Sequence, residues 1–190
     1  MKARNIVILV AILAVLGGVF YAVARPKPGP PPKPEEYVWQ IQQEDIEHVT
    51  ISLPHENLSR SFIKISQGDK FPWFFDDAQH SPVNAQIWGG GIPLLLSGPG
   101  ADRVINENAS PEQLTEYGFD DPRMKIDLLL TDNKTMTISV GDQTPTGNYY
   151  FVLAPNTNAV ATVDYTWYGV LERIVKSPDV YARPTTTAKP

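Results

Sequence analysis

The chain has 190 residues, 42 % of them hydrophobic and 19 % charged, which suits one packed domain with appendages and excludes global disorder. Cysteine is absent, which excludes disulfides, thiolate zinc sites, Fe–S clusters, covalent c-type haem attachment and a cysteine nucleophile. The first 34 residues hold five basic residues (Lys2, Arg4, Arg25, Lys27, Lys33) and no acid, leaving 11 basic residues against all 21 acids downstream, a balance unsuited to nucleic-acid phosphates.

The run Asn5–Ala24, NIVILVAILAVLGGVFYAVA, is uncharged and apolar after Asn5. As a helix at about 1.5 Å per residue it spans the roughly 30 Å hydrocarbon core of a bilayer. Ala22-Val23-Ala24 also resembles a signal-peptidase site, but the apolar run is longer than the usual signal core of about 7–15 residues, and Phe20-Tyr21 places aromatics at its far end. The expectation is an uncleaved single-pass anchor over residues 1–25. Basic residues flank it on both sides; a short N-terminal tail that stays in the cytoplasm places the remaining chain outside it. The expected setting is a bacterial inner membrane with a periplasmic, extracytoplasmic C-terminal domain.

Residues 26–34 contain six prolines, a density that favours polyproline II and a semi-rigid stalk of nearly 30 Å at about 3.1 Å per residue. A globular domain is expected over residues 35–183, and residues 184–190 form a small polar tail.

Alternation of apolar and polar residues dominates the domain and predicts half-buried strands. Val38–Gln42 gives a first, IEHVTISL (46–53) a second, Phe62–Ile65 a third, and Phe71–Phe75 a fourth beyond Gln67-Gly68-Asp69. Met124–Leu130 and Thr135–Val140 form a hairpin across Thr131-Asp132-Asn133-Lys134, and NYYFVLA pairs with AVATV across Pro155-Asn156-Thr157-Asn158.

Three helices are expected. One runs loosely from Pro82 to Leu96 and is weakened by Gly89-Gly90-Gly91 and Pro93. The second is SPEQLTEYGFDDP (110–122): Ser110 as N-cap, Pro111 at N1, Gln113 closing a capping box and Gly118 as the left-handed stop. The third follows Asp164 as N-cap, with Trp167, Val170, Leu171 and Ile174 on one face. The expected fold is α+β: a largely antiparallel sheet of about six to eight strands with two or three short helices, preceded by one transmembrane helix.

Signals for chemistry are sparse. Asp120-Asp121 and Asp76-Asp77 are paired carboxylates, but neighbours on extended backbone point apart, no Asp-x-Asp-x-Asp-Gly loop accompanies them, and a turn role is the simpler reading. His48, His55 and His80 share no metal-ligand spacing. The Gly89–Gly91 triplet lacks the Lys-Ser/Thr of a phosphate loop, and no Gly-x-Ser-x-Gly elbow exists. No metal, cofactor or catalytic residue is therefore assigned. Aromatic residues remain: Trp39, Trp73, Trp88, Trp167, Tyr149 and Tyr150 suit either a core or a docking patch.

The block Leu114 to Tyr150 carries Leu-x-x-Tyr-Gly-Phe-x-x-Pro, a strand, a polar turn, a strand ending Val140-Gly141-Asp142, then Thr144-Pro145-x-Gly147-x-Tyr149-Tyr150. With Trp39 and Trp73, this resembles a bacterial membrane-anchored family of domains of unknown function, often encoded beside auxiliary components of gliding-motility-type ABC transporters. The resemblance implies a membrane helix, an extracytoplasmic α+β domain and no established catalytic residue; this chain is shorter than many such proteins and carries one copy of the module. The functional expectation is a non-catalytic accessory or stabilising subunit of a transporter or electron-transfer complex, contacting integral membrane partners and the bilayer through Asn5–Ala24. A cell-envelope enzyme or a glycan- or peptide-binding module is the alternative.

Overall fold

The computed structural model describes residues 37–67, 72–88 and 91–183. The expected anchor, stalk and C-terminal tail lie outside these residues. Among the described residues no helix is long and apolar enough to cross a membrane.

Eight strands form one antiparallel sheet: β1 (Ile46–Leu53), β2 (Leu58–Lys64), β3 (Trp73–Phe75), β4 (Arg103–Asn106), β5 (Met124–Leu130), β6 (Thr135–Gln143), β7 (Tyr149–Leu153) and β8 (Val160–Asp164). Their spatial order is β3-β2-β1-β5-β6-β7-β8-β4. Two meanders, β1–β3 and β5–β8, thus meet where β1 pairs with β5. The chain leaves one edge after β3 and returns at the other as β4, and two short helices lie on that crossing: α1 (Ala85–Trp88) and α2 (Ile92–Ser97). The others are α3 (Pro111–Glu116) and α4 (Tyr165–Lys176).

Strand alternation decides which face is buried. Val49, Ile51 and Leu53 of β1 share the core with Phe62, Met124, Ile126, Leu128, Ile138, Val140, Val152 and Val163. Helix α4 crosses this face against β1, β2, β7 and β8, burying Trp167, Tyr168, Leu171, Ile174 and Val175. Its start is capped by the Asp164 carboxylate, which accepts the Thr166 amide at 2.8 Å. On the opposite face, hydroxyls pair across strands: Thr50 with Ser61 at 2.9 Å and Ser52 with Ser59 at 3.0 Å. That face can stay wet because its polar groups satisfy one another.

Two sequence expectations are corrected. Residues 38–42 alternate but do not join the sheet: Val38 donates its amide to the carbonyl of Pro99 just beyond α2, and Ile41 donates to that of Ser97 at its last residue. The loose helix from Pro82 to Leu96 is two short helices, α1 and α2; Gly89 and Gly90, between them, lie outside the described residues. Strand β4 had no clear signal, because its four residues are held extended by pairing with β8.

Candidate functional site

An open cleft of about 1390 Å³ lies beside edge strand β3, bordered by the 3-10 turn Gln43–Asp45, strand β2 and helix α1. Trp73, Phe74 and Trp88 supply apolar surface, Gln43, Gln67, Asn84 and Gln86 supply amides, and Glu44, Glu47, Lys64 and Arg183 supply charge.

These groups are not equally free. Lys64 Nζ donates to the carbonyls of Glu44 and, at 3.0 Å, Ile46, and lies 6.0 Å from the centre of the Trp73 ring. It ties strand to turn more than it awaits a ligand. The Gln43 amide donates to Glu44 Oε1 at 3.0 Å and holds that carboxyl below its usual range. The Asn84 side-chain carbonyl accepts the Gln86 amide at 3.0 Å and so starts α1, leaving the Asn84 NH₂ for other partners.

Of the two roles that the sequence left open for the tryptophans, burial is what the structure shows: Trp39, Trp73, Trp88 and Trp167 are each buried. Without disulfides, the large apolar area of indole is most useful inside. Trp39 and Trp167 meet edge to face at 6.0 Å. Their Nε1–H groups donate to the Leu96 and Leu95 carbonyls, both at 3.0 Å, satisfying the C-terminal end of α2. Trp88 differs. Its ring lies 4.4 Å from Phe62 and 5.5 Å from Trp73, and its buried Nε1–H has no hydrogen-bond acceptor among the described residues.

The two tyrosines divide. Tyr150 stacks on Tyr168 with centres 4.0 Å apart and planes at 14°. Burial, helped by the Glu172 carboxylate and Tyr150, pushes the Tyr168 phenol up to about 12. Tyr149 sits across the strand on the other face, where the charge of Asp102 and a hydrogen bond to it raise its phenol.

The paired carboxylates are separated by their own partners. Asp120 accepts the Thr115 hydroxyl at 2.7 Å, whereas Asp121 pairs with His55 Nε2 at 3.1 Å. Asp76 pairs with His48 at 2.9 Å. Asp77 accepts the amides of Ser81 and Gln79, each at 3.0 Å, and the Ser81 amide is the main reason its carboxyl lies below its usual range. Among the described residues no group of three or more His, Asp and Glu is arranged to hold a metal ion.

The cleft residues escaped sequence reading because they come from positions as distant as Gln43, Thr131 and Arg183. Trp73 and Trp88 carried a signal, and it suited a core or a docking patch alike. As a class, the described part is an α+β domain whose antiparallel sheet borders an open, mixed-polarity cleft. Residues 96–172 match the profile of a domain of unknown function, DUF4340. The matched segment includes β4 to β8, α3 and most of α4. It also contains the Leu114–Tyr150 block that carried the resemblance. No curated protein and no solved structure matches the chain.

Proposed function

We propose that this chain is an accessory or stabilising subunit of a larger membrane complex, of transporter or electron-transfer type, acting by protein–protein contact. In this reading Asn5–Ala24 anchors it as a single-pass protein of a bacterial inner membrane, and the proline-rich segment carries the acidic domain on the extracytoplasmic side. The observation that supports contact is the cleft: open, about 1390 Å³, with aromatic surface and amides beside it. Apolar surface with a polar rim is the usual anatomy of a protein contact site. Helices α1 and α2 add Ile87, 42 % exposed, and Leu94, 58 % exposed. The same planar amides favour a second reading, a module that binds glycans or peptides through that cleft.

The test begins with full-length protein extracted from its native membranes in mild detergent and run by native gel and native mass spectrometry. Migration with stoichiometric membrane-protein partners, reduced by Phe74→Ala or Glu47→Lys in folded protein, is expected. A lone monomer across several detergents rejects the subunit reading. Retention of a soluble oligosaccharide or peptide, lost in the same variants, selects the second.

A further inference from the structure

We draw no further inference here: the strongest candidate, the cleft between the 3-10 turn Gln43–Asp45, edge strand β3 and helix α1, belongs to the site already described, and nothing in the structure shows what covers it.

Discussion

The carbonyl of Tyr117 accepts the backbone amide of Asp142 at 2.8 Å, clasping the end of α3 to the bulged end of β6. Arg123 reinforces the clasp: its amide donates to the Val140 carbonyl at 2.9 Å and its Nε to Asp142 Oδ1 at 2.9 Å. The approach requires glycine on both sides. Gly118 has φ +83°, and a Cβ there would lie 2.8 Å from the Asp142 carboxylate; a Cβ on Gly141 would lie 2.1 Å from the Tyr117 carbonyl oxygen. The Tyr-Gly-Phe and Val-Gly-Asp pieces are thus two halves of one joint.

Gly141→Ala is therefore expected to destabilise the domain by about 3 kcal/mol, because the clash is with main chain that cannot step aside. Gly118→Ala should cost about 1–3 kcal/mol through its left-handed backbone and the nearby carboxylate. Urea unfolding midpoints of the domain check both. A Gly141→Ala protein as stable as the parent would show that the clasp is wrongly placed.

Trp39→Phe and Trp167→Phe each remove an indole donor from a carbonyl of α2 and should cost about 1–3 kcal/mol. Because the rings touch, the double variant is expected to depart from additivity by at least about 0.5 kcal/mol. Trp88→Phe gives the contrast: it deletes a donor that has no acceptor among the described residues, so its cost should be smaller than that of either partner-bearing indole. A larger loss at Trp88 would contradict the hydrogen-bond assignment.

Alkaline stability should report Tyr168. Its folded-state value of about 12 lies above the ordinary 10.0, so the neutral phenol contributes fully below pH 10. That contribution is lost as pH rises from 10 towards 12, where the unfolded chain releases the proton first. Unfolding free energy of the parent should fall across this window more steeply than that of Tyr168→Phe. Parallel curves would remove the buried phenol as the cause.

Asp120→Asn and Asp121→Asn should each change stability by less than about 1 kcal/mol, since their partners are exposed side chains. Millimolar Ca²⁺ should leave the melting temperature of the parent unchanged, because the two carboxylates are engaged by different partners. A Ca²⁺-dependent rise lost in both variants would restore the metal reading of this turn.

Much of the fold is legible wherever one local signal dominates. The strand Ile46–Leu53 alternates cleanly from Val49 to Leu53, and α3 carries both ends in sequence. Its capping box joins Ser110 to Gln113, and its Schellman bonds run from Gly118 to the Thr115 carbonyl and from Phe119 to the Leu114 carbonyl. The hairpin at Asp132-Asn133 is equally local, since both residues adopt the left-handed backbone that Asp and Asn tolerate. Residues 38–42 misled because alternation reports an extended, half-buried chain and not its hydrogen-bond partner.

Sequence alone, then, settled composition, the absence of thiol chemistry, most strands and the start and stop of α3, because each depends on side chains within a few residues of one another. The tertiary structure decided three things: that β1 would pair with β5, that the tryptophans would be core, and that Tyr117-Gly118 would meet Gly141-Asp142. Each depends on contacts between distant segments, whose formation is governed by long-range packing. The cleft belongs to the same category: Lys64, Asn84 and Arg183 become neighbours of Trp73 only after the sheet edge and α1 have packed. The carboxylates of SPEQLTEYGFDDP read as a turn, and the structure gives each its own partner: Thr115 within the same segment for Asp120, and His55, far away in the chain, for Asp121.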